Sequence, residues 1–142
     1  MKNVRKIVIP YGLFSQLIIH AEATKPYESV AVIAGRIEDD IAYSEKIYTP
    51  ENIEQSRVSF TIDAYVLLEI YTEVEKLDKQ IIAIYHTHPA PPKPSSTDLE
   101  YMEVNPYIWL ISSISSPDRP KGYLLLENSK LKEVDIEIRK NQ

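Results

Sequence analysis

The chain has no cysteine among its 142 residues, and that one absence removes several chemistries. Disulfide scaffolds, thiol nucleophiles and thiolate zinc sites all need a sulfur that is missing here. A nucleoside-type zinc deaminase, which holds its metal through cysteines, is excluded with them. Histidine is scarce, with three in all, so any metal must be held by a few imidazoles and by carboxylates. No apolar run approaches the roughly 20 residues of a membrane-spanning helix. "MKNVRKIVIPYG" opens on basic residues, but its apolar run stops at Pro10, too soon for a secretory signal. The expected location is therefore the cytoplasm, away from any membrane.

Excess charge of one sign is also lacking. Sixteen basic and 21 acidic residues give a formal net charge of -5, with the two signs interspersed. Without a basic stripe, nucleic acid is not an expected partner. Apolar residues make up 44% of the chain, enough for a folded core, and no repeat or linker divides it. Residues 1–142 are read as one domain.

The pattern of what is present predicts alternating strands and helices. "RKIVIP" reads as a strand stopped by Pro10, and proline suits the first turn of the helix that follows. Leu13, Phe14, Leu17, Ile18 and Ala21 recur at helical spacing, and Pro26 ends that helix near Lys25. "SVAVIAGRI", "IAYSEKIYT" and "RVSFTI" read as strands. Asp63 caps a second long helix whose Val66, Leu67, Ile70, Val74 and Leu77 share a face. That face serves the core or a homodimer contact. "QIIAIYHTH" is an apolar strand, and "DLEYMEV" a short helix with Thr97 and Glu100 at capping-box spacing. "YIWLISS", "KGYLLLE" and "LKEVDIEIR" complete the strands, with "SISSPDRPKG" as a loop between the first two. The expected fold is α/β (α+β), a mixed sheet flanked by two long helices and one short helix.

Two of the three histidines stand one residue apart at the end of a strand, in "IIAIYHTHPAPPKPSSTDLEYM". On an extended chain, alternate side chains share a face, so His86 and His88 can converge on one point. Asp98, at a helix start after a loop stiffened by Pro89, Pro91, Pro92 and Pro94, is the natural third ligand. Two histidines and an aspartate leave a tetrahedral zinc one open position, which is the arrangement of a catalytic site. An H-x-H pair alone is weak evidence, because strand-end histidines are often surface residues and Asp98 could serve only as a cap. A second element lies far upstream. In "PYESVAVIAG", Glu28 stands at the mouth of an otherwise apolar strand, where a carboxylate is costly unless paired or employed.

These segments together resemble the JAMM (MPN+) metalloprotease family, zinc enzymes related to deubiquitinating isopeptidases. The family pattern is a glutamate before an apolar strand ending in glycine, then H-[ST]-H-P, a short loop and S-x-x-D. This chain offers Glu28 in "PYESVAVIAG", His86-Thr87-His88-Pro89, and Ser95-Ser96-Thr97-Asp98. "ENIEQSRVSFTID" and "YIWLISSISS" also resemble the family's intervening and following segments, so the likeness runs nearly full length.

The resemblance implies one Zn2+ per chain held by His86, His88 and Asp98, with Glu28 as general base off the metal. It implies Ser95 as the donor to the oxyanion. The substrate would be a conjugate of a ubiquitin-like modifier or sulfur-carrier protein, cut after the modifier's C-terminal tail. Two alternatives remain: a peptidase that frees an amino acid from a carrier's C-terminus, and a non-catalytic scaffold of the same fold. One departure is visible. Six residues separate His88 from Ser95 where the family usually has seven, so Ser96 keeps the spacing from His88 and Ser95 the spacing to Asp98. Ser95 is preferred. His20 lacks a partner at metal spacing, and Tyr85 and Trp109 are expected in the core.

Overall fold

The computed structural model describes residues 1–52 and 62–140. The expected "RVSFTI" strand falls outside these residues except for Ile62. Seven strands are seen: β1 (Lys6–Pro10), β2 (Val30–Glu38), β3 (Ile41–Tyr48), β4 (Gln80–His88), β5 (Ile108–Ser113), β6 (Ser116–Leu125) and β7 (Leu131–Arg139). They close into a barrel in the order β1-β3-β2-β4-β5-β6-β7. β1 runs parallel to β3 and β7, and β4 parallel to β5; the other neighbours are antiparallel. Two long helices, α1 (Tyr11–Thr24) and α2 (Ala64–Lys76), and a short one, α3 (Ser96–Val104), complete the α/β domain.

Strand alternation sorts the core into two sides. Ala31, Ile33, Ile82, Tyr85, Ile108 and Leu110 pack with Leu17 and Ala21 of α1. Val30, Val32, Ile84, Trp109 and Ile111 pack with Ile70 and Val74 of α2 and Met102 of α3. The β2–β4 pairing shifts between Ile33 and Ala34, which puts Ile82 and Ile84 on opposite sides. Beyond that shift, the parity that places Ile84 on the second side carries His86 and His88 there as well. On α2 only the middle of the expected apolar face is covered, because Val66 and Leu77 are 36% and 44% exposed. Asp63 caps this helix as expected, accepting from the Tyr65 and Val66 amides at 2.8 and 3.3 Å.

Two expectations change. The cap of α3 is Ser95 with Asp98, two residues earlier than the Thr97 and Glu100 pair. Both pairs have the same spacing, so spacing cannot choose between them. Contact of Asp98 with His86 favours the earlier one. The Ser/Pro-rich "loop" is mostly strand, since β6 starts at Ser116. Its pairing jumps from Ser113↔Ser116 to Ile111↔Lys121, and Pro117 and Pro120 sit in that irregularity, where a missing N–H breaks no ladder bond. The Pro117 carbonyl accepts from the Tyr85 and Ser112 hydroxyls at 2.9 and 3.0 Å.

Candidate functional site

Three separated parts of the chain meet at the C-terminal end of β4. Antiparallel pairing puts Val30 opposite His86, so Glu28, two residues before Val30, comes up beside the histidines. The turn from β4 is tied down: Ile114 N–H donates to the His88 carbonyl at 2.9 Å, and the Ser113 hydroxyl to the Ala90 carbonyl at 2.8 Å. The Tyr123 hydroxyl holds the Pro92 carbonyl at 2.9 Å. These bonds and the prolines return the chain to Ser95, where α3 begins and aims Asp98 back at β4.

The resulting cluster is buried, with Glu28, His86, His88 and Asp98 all at 5% exposure or less. His86 Nε2 lies 3.1 Å from Asp98 Oδ1, and His88 Nε2 lies 4.0 Å from Asp98 Oδ2. On the other edge of the His86 ring, Nδ1 is 3.7 Å from Glu28 Oε1. His88 Nε2 also lies 3.2 Å from the Lys93 carbonyl in the proline-rich loop. The capping box fixes Asp98 from behind. Ser95 N–H donates to Asp98 Oδ2 at 2.9 Å, and Asp98 N–H to Ser95 Oγ at 3.1 Å. Ser95 Oγ thus accepts from the Asp98 N–H at the start of the helix. Ser96 is the first residue of α3 and exposed.

Charge inside this low-dielectric cluster is coupled. Burial works against a charged His86, but Asp98 and then Glu28 outweigh it and push its pKa up to about 9. Burial and the neighbouring His86 hold His88 below its ordinary value. Burial opposes the Asp98 charge too, yet contact with His86 brings its pKa below the usual carboxylate range.

The donor chemistry fits a zinc-type ion: two imidazoles and one carboxylate, fixed by the fold. Two donors that share a tetrahedral ion at about 2 Å each stand about 3.3 Å apart. The 3.1 and 4.0 Å separations bracket that value. Among the described residues, however, no three such side chains are already spread into a ligand cage. The distances are those of an ion pair.

The residues expected from the sequence are therefore brought together without exception. Others were missed. Trp109, buried as expected, also meets His86 edge-on, with ring centroids 5.8 Å apart at 84°. It floors a mostly apolar cavity of about 220 Å³ lined by Leu67 and Tyr71 of α2, Ile84 of β4 and Tyr101 of α3. Asn52, buried just after β3, donates to the Glu28 carbonyl at 2.9 Å. The signal for Asn52 was a polar residue in a segment already noted for its likeness, to which no role had been attached.

Residues 10–123 match the family described as prokaryotic homologs of the JAB domain. The chain belongs to that family. Among JAB-type relatives, a Pyrococcus furiosus protein named desampylase is 35% identical over 94 residues, 66% of this chain and 66% of that protein. The chain thus spans just under two thirds of that relative's length. A Mycobacterium tuberculosis protein named CysO-cysteine peptidase is 27% identical over 118 residues, 82% of this chain and 80% of that one. The solution structure of protein DSY2949 from Desulfitobacterium hafniense superposes with a TM-score of 0.81 at 25% identity, covering 95% of this chain and 94% of that one. No helix among the described residues is long and apolar enough to cross a membrane.

Proposed function

We propose that the protein is a zinc-dependent isopeptidase that hydrolyses the amide bond after the C-terminal tail of a ubiquitin-like modifier or sulfur-carrier protein. The observation that carries this reading is the buried meeting of Glu28 with His86, His88 and Asp98 in a chain of the JAB family. His86 and His88 through Nε2, and Asp98 through its carboxylate, would hold the ion. When bound, the ion supplies Lewis-acid polarisation of the scissile carbonyl and lowers the pKa of water toward about 7.

The remaining steps belong to the chain's own side chains. Glu28, buried in the same cluster with Oε1 3.7 Å from His86 Nδ1, takes a proton from the attacking water and returns it to the leaving amine. The Ser95 hydroxyl donates to the oxygen that gains charge, an interaction worth a few kcal/mol where such donors have been removed. Water attacks directly, so no side chain forms a covalent intermediate and the missing cysteine is no handicap. The cavity over Trp109 accepts apolar residues of the modifier tail.

A second reading, release of an amino acid from a carrier's C-terminus, draws on the name of the mycobacterial relative. It uses the same residues with a different leaving group. A scaffold without activity is disfavoured because no motif residue is missing.

Metal analysis of the native protein and of Glu28→Gln, paired with a modifier-conjugate cleavage assay, tests the proposal. About one zinc per chain is expected in both, with cleavage in the variant falling to a small but measurable residual rate. Zinc lost along with the glutamate would make Glu28 a ligand, and undiminished cleavage would put the base elsewhere. Comparing a lysine-linked conjugate with a carrier bearing a single terminal amino acid separates the two enzymatic readings.

A further inference from the structure

Glu28 lies before the first residue of β2, so the sheet ladder does not hold its backbone. Something else must, because a base displaced by about 1 Å can cost about a hundredfold in rate. The peptide group joining Glu28 to Ser29 is gripped at both ends by side chains. Asn52 Nδ2 donates to the Glu28 carbonyl at 2.9 Å, and the Ser29 N–H donates to Thr87 Oγ1 at 3.0 Å. The Ser29 and Thr87 hydroxyls are also 3.0 Å apart, and the Thr87 N–H donates to the Ser29 carbonyl at 3.2 Å. Asn52, Ser29 and Thr87 are each at most 4% exposed, so water does not substitute for these bonds.

We infer that Asn52 and Thr87 are positioning residues for Glu28, acting through the Glu28–Ser29 peptide plane; this rests on the role proposed for Glu28 above. A plane fixed at its carbonyl and at its N–H restricts ψ of Glu28 and φ of Ser29 together. It thereby fixes the direction in which the Glu28 side chain leaves the backbone. Thr87 suits the task because it stands between two residues whose side chains point to the opposite face of β4. One residue of the H-T-H segment thus ties the base to the strand that carries both histidines. Asn52 ties the same plane to the chain segment that follows β3. Base and histidines are held as one unit.

The test uses Asn52→Ala, Thr87→Val and Thr87→Ser, each made in the native protein and in Glu28→Gln, with zinc content measured throughout. Asn52→Ala and Thr87→Val should lower kcat by about 10- to 100-fold with KM nearly unmoved and zinc retained. Thr87→Ser, which keeps the hydroxyl, should recover most of that rate. In the Glu28→Gln background neither Asn52→Ala nor Thr87→Val should lower the residual rate further, because the group they position is gone. Native rates in Asn52→Ala, or the same fold-loss in both backgrounds, overturn the inference; the latter marks a merely structural role. Asn52→Leu removes the donor at near-constant shape and replaces the alanine variant should that one not fold.

Amide hydrogen exchange at Ser29 reads the clamp without substrate. It should be slow in the native protein and at least about tenfold faster in Thr87→Val. Fast exchange in the native protein overturns the clamp, whereas a protected amide in a protein that cleaves no conjugate faults only the proposed activity.

Discussion

His86 Nε2 and Asp98 Oδ1 stand 3.1 Å apart, a buried ion pair between the end of a strand and the first turn of a helix. The contact ties the end of β4 to the docking of α3, because Asp98 also closes the helix cap.

That pair sets a pH dependence for the metal-free protein. His86 is raised from 6.5 to about 9, so its contribution to stability is complete below about pH 6.5 and fades as pH climbs through 9. Asp98 is lowered from 3.8, so its contribution is present above that value and is lost as pH falls below it. Thermal melts without metal should therefore peak between about pH 4 and 6.5 and decline on the alkaline side. With zinc present the alkaline decline should vanish, since ligands that have lost their protons bind metal more tightly. Asp98→Asn should abolish both the metal-free decline and zinc retention. An unchanged melt profile in that variant would show that the pair does not titrate as described.

The two serines separate by substitution. Ser95→Ala should cost about 1 kcal/mol of stability through the lost cap and lower kcat by roughly 100-fold or more. Ser96→Ala should leave melting temperature and rate close to native, because its side chain makes no capping bond to α3. A larger rate loss at Ser96 would transfer the oxyanion role to it.

The apolar cavity predicts a KM effect. Leu67→Asp introduces a charge beside Tyr71 and Trp109, and should raise KM for a modifier conjugate by about tenfold with little change in kcat. A fall in kcat alone would place the tail elsewhere.

Gly35 marks a backbone approach that no side chain can share. A Cβ there would sit 1.9 Å from the Tyr43 carbonyl oxygen, at an irregularity in the pairing of β2 with β3. Gly35→Ala should destabilise the barrel by about 1–3 kcal/mol or more, seen as a lowered denaturation midpoint with zinc stoichiometry preserved in the folded fraction.

Much of the fold was legible because strands with period two and helices with period 3.6 leave local traces. β4 and its histidines, the Asp63 cap and α1 behind Pro10 follow from neighbours in the chain. β6 was misread because a proline-rich stretch looks like a loop unless the irregular pairing that accommodates Pro117 and Pro120 is known. The early cap of α3 was missed for a related reason: two equally spaced pairs compete, and a distant histidine favours one.

From the sequence alone came the inventory: no cysteine, two histidines on one strand face, an aspartate at a helix start and a glutamate before an apolar strand. Those are properties of residue type and short-range periodicity, which the chain carries whether or not it is folded. Only the tertiary structure decided that Val30 pairs with His86, which brings Glu28 to the ring's far edge, and that Asn52 and Thr87 grip one peptide plane from both ends. Strand register and burial act between residues far apart in sequence, and neither leaves a local trace.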